Sequence, residues 1–302
     1  MLNVYEATAS NKRKTWIIMV LFVVFISVFA WVIGEAMDYG TGFVGLALII
    51  SGIMSFGSYW YSDKIILTIS KARPATRQEF FNFYTATENL VMVARIPMPK
   101  LYVIDDTAMN AFATGRDPQH AVVCATTGIL QRLDRTELEG VIAHELSHIQ
   151  NYDIRLMSIV TILVGFVTLL ADWFLRASFY GKRSNSKGQE GQLRMVIGLI
   201  GVVLALLSPL IAQLIKLALS RQRESLADAS AVKLTRQPSG LINALRKLDA
   251  DQEPLEAANK ATAHLYITNP LKNRHGGVGW FATLFMTHPP IEQRIKALEA
   301  MS

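Results

Sequence analysis

The segment AHELSHIQN, residues 143–151, combines two histidines and a glutamate at a spacing that suits metal chemistry. Residues four apart share a helix face, so His144 and His148 can offer two imidazole nitrogens to one ion. Glu145 lies at the edge of that face, where its carboxylate can contact a water molecule in the open position of a catalytic metal. We therefore expect two metal ligands and one general base on this helix.

A third ligand is expected because catalytic zinc normally has three protein ligands and one open position. The segment RQRESLADAS offers Glu224, which follows His148 by 76 residues on a predicted helix. Asp228, on the same face, can accept a hydrogen bond from a ligand imidazole and fix its tautomer. The small Ala227 and Ala231 would let the two helices approach closely. On spacing alone, a solvated face of arginine, glutamate and aspartate explains this segment equally well.

The helix that carries the two histidines is predicted by its start and by its apolar face. Asp134 followed by Glu137 is the pattern of a capping box. Apolar side chains cluster on the side opposite His144, at Leu138, Ile142, Leu146 and Ile149. The sequence therefore predicts a buried back and a polar front. The alternative is an ordinary amphipathic helix with two histidines, and a third ligand distinguishes the two.

Composition indicates a membrane protein. The chain has 302 residues, 51% of them hydrophobic and 18% charged, and its mean hydropathy is positive. The net charge of +6 comes from basic residues that are scattered or flank apolar segments, which argues against nucleic acid as a partner. The single cysteine, Cys124, excludes an intramolecular disulfide framework, so the chemistry needs no oxidising compartment.

Residues 1–63 are predicted to form a transmembrane hairpin. Residues 16–34 and 42–61 are uncharged stretches of nineteen and twenty residues, and a span needs roughly 20. The first stretch is too long for a typical signal peptide, and a second span follows at once. The connection between the stretches is acidic and both outer flanks are basic, so the positive-inside rule places the residues after Lys64 in the cytoplasm.

A second hydrophobic hairpin is predicted at residues 154–219, with apolar segments at about 156–175 and 195–215. Only the second segment, with twenty-one uncharged residues, is a span by length. The loop between the segments is basic, which conflicts with an external position. We expect this hairpin either to cross the membrane or to be re-entrant or partly covered by protein.

The remaining residues, 64–153 and 220–302, are predicted to form the two parts of one domain. A capping pattern at Thr76 and Glu79 predicts a helix up to about Arg95. Short strands are expected at residues 101–104, 110–114 and 121–125. Further helices are expected near residues 221–234, 240–248 and 290–299. The predicted class is a multi-pass membrane protein, mainly α with a small β-sheet.

A shared metal ion would constrain the topology. If His148 and Glu224 bind one ion, the chain must leave and re-enter on the same face of the membrane, so the hairpin between them crosses zero times or twice. Few residues separate the ligand helices from the apolar segments. We therefore expect the site near the bilayer surface, where membrane proteins or membrane-near segments are favoured substrates.

Nearly the whole chain resembles the HtpX-like membrane zinc metallopeptidases, which are relatives of the CAAX prenyl proteases. The resemblance includes the N-terminal hairpin and four segments in order: NAFATGR at 110–116, ATTGILQRLDRTELEGVIAHELSHIQNYD at 125–153, SRQRESLAD at 220–228 and THPPIEQRI at 287–295. Their order, with a hydrophobic hairpin between the second and third ligands, is far more specific than the HExxH motif alone.

The resemblance implies a zincin-type (gluzincin) catalytic domain. It assigns His144, His148 and Glu224 as ligands of one zinc ion per chain, and Glu145 as general base and acid. Asp228 matches the aspartate that follows the ligand glutamate in this class of zinc peptidases. The implied activity is that of a zinc metalloendopeptidase, which hydrolyses peptide bonds without a covalent intermediate.

The resemblance also suggests two substrate contacts and a cellular role. Asn110 matches a position in the substrate cleft, where an extended peptide would be held as an added strand. His288 is a candidate contact to substrate or to the developing oxyanion, and capping of the helix near residue 290 is its alternative. Expected substrates are misfolded or surplus membrane proteins and unfolded polypeptides, cleaved during stress. The expected location is the cytoplasmic (inner) membrane of a bacterium, with the active site facing the cytoplasm.

Three alternative functions fit the sequence less well. A non-hydrolytic scaffold or holdase with a structural zinc would usually have a four-coordinate, cysteine-rich site, and this chain has one cysteine. A transporter would tend to carry ionisable groups within its spans, and residues 16–34 and 42–61 have none. A dedicated CAAX-processing enzyme has more spans than the two to four predicted here. The sequence carries no signal for oligomeric state.

Overall fold

The computed structural model describes residues 4–36, 41–180, 221–258, 262–268, 270 and 289–301. Within them the helices are α1 (Val4–Ala36), α2 (Thr41–Ile69), α3 (Phe81–Ala94), α4 (Thr127–Arg132), α5 (Arg135–Gln150), α6 (Asp153–Tyr180), α7 (Arg221–Thr235), α8 (Pro238–Ala250) and α9 (Ile291–Glu299). The strands are β1 (Arg73–Pro74), β2 (Lys100–Ile104), β3 (Ala111–Gly115) and β4 (Ala121–Thr126). The fold is mainly helical with a small sheet, as the sequence predicts.

Helices α1 and α2 pack against each other and overlap the two segments predicted to cross the membrane. Each is long and apolar enough to span a bilayer, over Thr8–Trp31 and Val44–Ile69. Only 22% and 17% of these stretches is buried, with side chains such as Val20 and Ile53 largely exposed. Core helices of a soluble domain would be mostly buried, so these surfaces need an apolar environment outside the protein.

The sheet lies between two apolar cores. Its order is β1-β2-β4-β3, with β2 parallel to β4 and the two outer pairs antiparallel. Successive side chains of a strand point to opposite faces, so Ala111 and Ala113 pack in the core around α5, while Phe112 packs in the core shared by α1, α2 and α6. The three predicted strands are confirmed to within a residue at each end, and the two-residue β1 was too short to be predicted.

Helix α3 begins later than the sequence predicts. It starts at Phe81, and Phe80 at its N-cap makes no capping hydrogen bond through its side chain. The expected capping partner Glu79 instead forms two hydrogen bonds with Arg73, at 2.9 and 2.6 Å. Thr76 accepts a hydrogen bond from the Glu79 N–H at 3.3 Å, which closes a turn before the helix. The capping prediction is therefore wrong here because the arginine of β1 takes the glutamate.

Helix α5 begins as predicted and lies at the centre of the structure. The Asp134 carboxylate accepts from the Glu137 N–H, and the Glu137 carboxylate accepts from the Asp134 N–H, each at 2.9 Å. The front of the helix carries polar side chains, and these side chains are buried. His144, Glu145 and His148 are only 0%, 3% and 5% exposed. The cause is α7, which packs against the face that carries them.

Helices α5 and α8 cross at two glycines. A Cβ placed on Gly140 would lie 2.6 Å from the backbone nitrogen of Leu241. A Cβ on Gly240 would lie 2.6 Å from the carbonyl oxygen of Thr136. Both positions are therefore restricted to glycine by close approach of the backbones.

Helix α6 follows α5 after a sharp turn at Tyr152, whose φ is +59°. Its first half is mostly buried against α1, α2 and the sheet, with Leu156, Ile159 and Leu163 at most 3% exposed. The predicted second hydrophobic hairpin, 154–219, includes residues 181–219, which lie outside the described residues. Its membrane crossing stays a prediction.

Candidate metal centre

Two helices bring three ligand-type side chains together. His144 and His148 come from α5 and Glu224 comes from α7. The two histidine Nε2 atoms are 3.2 Å apart. His144 Nε2 lies 3.6 Å from Glu224 Oε2, and His148 Nε2 lies 3.6 Å from Glu224 Oε1. The close approach of the helices is possible because Ala227 and Ala231 on α7 are small and fully buried.

These separations fit a single ion. Ligand atoms at about 2.1 Å from one zinc ion and at tetrahedral angles lie about 3.4 Å from one another. The observed Nε2–Nε2 separation of 3.2 Å is close to that value, and a different oxygen of the Glu224 carboxylate lies 3.6 Å from each nitrogen. Two nitrogens and one carboxylate oxygen are also a donor set that suits zinc.

Each of the two histidines contacts a carboxylate through Nδ1, the ring nitrogen that does not face the other histidine. His144 Nδ1 lies 2.9 Å from Asp228 Oδ1, and His148 Nδ1 lies 3.0 Å from Asp153 Oδ2. Because a carboxylate only accepts hydrogen bonds, each Nδ1 donates to its aspartate, and the Nε2 atom of each ring faces the other ring and Glu224. In the tautomer that binds a metal each Nε2 is an acceptor, and two such nitrogens beside the Glu224 carboxylate repel one another unless a positive charge lies between them. The arrangement therefore calls for a positive charge.

The pKa of His148 is raised, which means that its surroundings favour the positively charged form of the ring. Burial of the ring by itself lowers the pKa, but the hydrogen bond to Asp153 and the negative charges of Glu224, Asp153 and Glu145 raise it to about 9. The carboxylate of Glu145 is thus near enough to act on this ring electrostatically. The site attracts cations even before any metal is considered.

Asp228 is itself held by an arginine from the C-terminal helix. Arg294 on α9 donates from Nε and Nη2 to the two oxygens of Asp228, at 2.9 and 2.7 Å. It also donates to the carbonyl oxygen of Ile267 at 3.3 Å. Burial alone raises the pKa of Asp228, but Arg294 and the hydrogen bond with His144 lower it to about 2. The aspartate therefore stays ionised beside the ligand.

Two of these residues are missed by sequence reasoning. Asp153 follows His148 by five residues, too far for one helical face, and only the turn at Tyr152 brings it back to the ring. The sequence feature that could have pointed to Asp153 is its place in QNYD, just after the end of the helix that carries both histidines. Arg294 lies in THPPIEQRI, the segment in which the family resemblance points to His288 and not to the arginine.

Comparison with known proteins identifies the family. The model for Peptidase family M48 matches residues 79–302, which include the histidine helix, Glu224 and Arg294. The chain belongs to peptidase family M48.

Relatives in this family match over almost their full length. A protein named Protease HtpX homolog from Dictyoglomus thermophilum is 44% identical over 297 residues, which cover 98% of this chain and 94% of that protein. A protein of the same name from Ligilactobacillus salivarius is 44% identical, covering 98% of this chain and 99% of its own. The HtpX-like resemblance is thus confirmed, and the chain is a metalloprotease with two helices apolar enough to cross a membrane.

A solved structure shares the fold. The crystal structure of S. mikatae Ste24p aligns with 95% of this chain and 67% of its own, at a TM-score of 0.51 and 20% sequence identity. At that identity the likeness concerns the fold alone.

Of the two predicted substrate contacts of this M48 peptidase, the structure describes Asn110 but not His288. Asn110 is 2% exposed and donates from its amide to the carbonyl oxygen of Thr268 at 3.1 Å. The Ile267 N–H donates to the Ala111 carbonyl oxygen at 3.0 Å, so a segment of the chain itself contacts the start of the β3 edge. A substrate role of Asn110 stays a prediction. His288 lies outside the described residues, and its role stays a prediction as well.

Proposed function

We propose that this M48 peptidase is a membrane-bound zinc endopeptidase of the gluzincin type, which hydrolyses misfolded or surplus membrane proteins. The observation that carries the proposal is the convergence of His144, His148 and Glu224 at separations suited to one ion. We place it in the cytoplasmic (inner) membrane of a bacterium, with its active site facing the cytoplasm. Zinc is proposed because its usual donors and distances match this site.

In this proposal His144, His148 and Glu224 hold one zinc ion per chain. Asp228 and Asp153 accept hydrogen bonds from the Nδ1 atoms and so keep both Nε2 atoms aimed at the ion. A bound zinc ion supplies a Lewis acid that polarises the scissile carbonyl and lowers the pKa of water from 15.7 to about 7.

Glu145 performs the proton transfers. Its carboxylate takes a proton from the attacking water and later passes it to the leaving amine, so no covalent intermediate is needed. The low exposure of Glu145, 3%, strengthens its electrostatic interactions compared with water. A donor such as His288 would stabilise the oxyanion that forms when water adds to the carbonyl.

The position of the site relative to α1 supports membrane-near substrates. Asn11 on α1 donates to the carbonyl oxygen of Asn151, directly after the histidine helix, at 3.0 Å. Asn11 lies within Thr8–Trp31, the stretch of α1 that is long and apolar enough to span a bilayer. The end of the helix that carries both histidines is therefore in direct contact with a proposed membrane helix. Unfolded polypeptide segments that emerge from the bilayer would reach the metal centre without a separate delivery step.

Two substitutions separate metal binding from catalysis. In Glu145→Gln we expect zinc affinity to be retained and cleavage to fall by about 10² to 10⁴, because only the proton acceptor is lost. In Glu224→Ala we expect both zinc affinity and cleavage to be lost, because a ligand is removed. The measurements are zinc content of the purified protein and cleavage of an unfolded membrane-protein substrate in detergent.

Glu139→Gln is the matched control. Glu139 lies on the same helix but pairs with Arg135 at 2.6 Å and is not part of the metal centre, so it should retain both zinc and cleavage. Full cleavage by the purified Glu145→Gln protein would contradict the role of Glu145. Tight zinc binding by wild type without cleavage of unfolded membrane proteins would favour the non-hydrolytic scaffold instead.

A further inference from the structure

A residue of the N-terminal membrane helix reaches the metal centre. Asn11 on α1 is 1% exposed, although it precedes the nearest part of the centre by about 140 residues in sequence. Its Nδ2 donates to Asp153 Oδ1 at 2.7 Å and to the carbonyl oxygen of Asn151 at 3.0 Å. Asp153 is the carboxylate that accepts from His148. One amide thus links α1 to the partner of a ligand histidine.

The residue before the third ligand completes the network. Arg223, next to Glu224 on α7, donates from Nη1 to Asn11 Oδ1 at 3.1 Å and to Asp153 Oδ1 at 3.3 Å. The amide of Asn11 must therefore point its NH₂ group at Asp153, because the reverse orientation would place NH₂ against the guanidinium and oxygen against the carboxylate. The network fixes this side chain in one orientation.

The two oxygens of Asp153 have separate functions. Oδ2 accepts from His148 Nδ1 at 3.0 Å, and Oδ1 accepts from Asn11 and Arg223. A carboxylate held at only one oxygen can rotate about its last side-chain bond, and the imidazole bound to it would rotate with it. With Oδ1 held, Oδ2 stays aligned with Nδ1, so His148 keeps its Nε2 directed at the ion. Partners that orient a metal ligand in this way typically change metal affinity 10- to 100-fold when removed.

We propose that Asn11 is a positioning residue of the metal centre, which acts through Asp153 on His148 and makes the membrane helix α1 part of the zinc site. The proposal rests on the proposed function, because it requires His148 to be a zinc ligand. A purely structural role, in which Asn11 only fastens α1 to the catalytic part, predicts altered stability but unchanged zinc affinity of the folded protein.

The test is a chelator competition for zinc with the full-length, metal-free protein in detergent. Asn11→Ala should lower zinc affinity about ten-fold, and Asp153→Ala by about 10- to 100-fold. The double variant should match Asp153→Ala alone, because Asn11 acts through Asp153. Asn11→Asp keeps the shape but replaces the donor with an acceptor facing Asp153, and should lose at least as much affinity as Asn11→Ala.

Ser27→Ala is the matched control on the same helix. Ser27 donates to the carbonyl oxygen of Val23, four residues earlier on the same helix, at 2.8 Å, so its removal should leave zinc affinity unchanged. The thermal unfolding midpoint of each metal-free variant shows that the protein is folded, and Asn11→Asp decides the matter if Asn11→Ala does not fold.

Two results would overturn the inference. One is wild-type zinc affinity in folded Asn11→Ala or Asn11→Asp. The other is a loss in the double variant equal to the product of the two single losses, since that indicates independent effects. Glu224→Ala in the same titration separates failure of the Asn11 proposal from failure of the zinc site. If wild type binds zinc no better than Glu224→Ala, the proposed zinc site itself fails.

Discussion

Each of the two histidines proposed as ligands of this peptidase is hydrogen-bonded to an aspartate, and each aspartate is hydrogen-bonded to an arginine. His144 contacts Asp228, which contacts Arg294, and His148 contacts Asp153, which contacts Arg223. The positive charge of each arginine offsets the cost of burying a carboxylate, and at Asp228 it also lowers the pKa. The ligands are thus oriented by charges that belong to other helices.

At the residue scale, the account predicts a large cost for removing Arg294. Arg294→Met should lower the free energy of unfolding by about 3 to 5 kcal/mol, because it leaves Asp228 buried and charged without its partner. The measurement is thermal or denaturant unfolding of the metal-free protein in detergent.

Arg246→Met provides the control for that prediction. Arg246 on α8 also pairs with an acid of α9, Glu299, at 2.7 Å, but both side chains are about half exposed. Its loss should cost only about 0 to 1 kcal/mol. An equal loss of unfolding free energy in Arg294→Met and Arg246→Met would mean that the buried pair contributes no more to stability than the exposed pair.

The sequence predicts the three ligands and Asp228 as the partner of one imidazole, but not Asp153, Arg294 or Asn11. His144, His148 and Glu224 follow from helix periodicity, from the usual ligand number of zinc and from the family resemblance. Arg294 and Asn11 make their contacts across 66 and 142 residues. Such pairs depend on how whole helices pack, which local patterns do not encode.

At the element scale, α5 is positioned by contacts on every side. The capping box at Asp134 and Glu137 could be predicted because it depends on four consecutive residues. The start of α3 could not, because Glu79 is taken by Arg73 on β1, a strand only two residues long. The capping pattern thus predicted a helix start correctly at α5, and it failed at α3, where the glutamate is hydrogen-bonded to an arginine of another element.

The glycine contact between α5 and α8 gives a prediction at this scale. Gly140→Ala should destabilise the protein by about 1 to 3 kcal/mol, because the added methyl group would press on the α8 backbone at Leu241. Gly52→Ala on α2 is the control, since a Cβ there meets nothing within 4 Å. Thermal unfolding in detergent compares the two. A Gly140→Ala protein as stable as Gly52→Ala would show that α8 can move away without cost.

At the scale of the whole molecule, the metal centre joins parts that are distant in the chain. It brings together α5, which precedes the predicted hairpin at residues 154–219, and α7, which follows it. Asn11 adds α1, the proposed N-terminal membrane helix. Composition and apolar segments predicted the membrane helices, because length and hydropathy suffice for that. The sequence left open whether the second hydrophobic hairpin crosses the membrane or is partly covered by protein, because an apolar segment looks the same whether lipid or protein surrounds it. The structure shows that the first half of α6 is covered by α1 and α2.

The central claim is that these helices assemble a metal-dependent peptidase. The most direct test incubates the metal-free, full-length protein in detergent with an unfolded membrane-protein substrate, with and without added zinc, and follows peptide-bond cleavage. The account predicts cleavage only in the arm with zinc, and its loss again when a chelator is added. Equal cleavage in both arms would contradict the account.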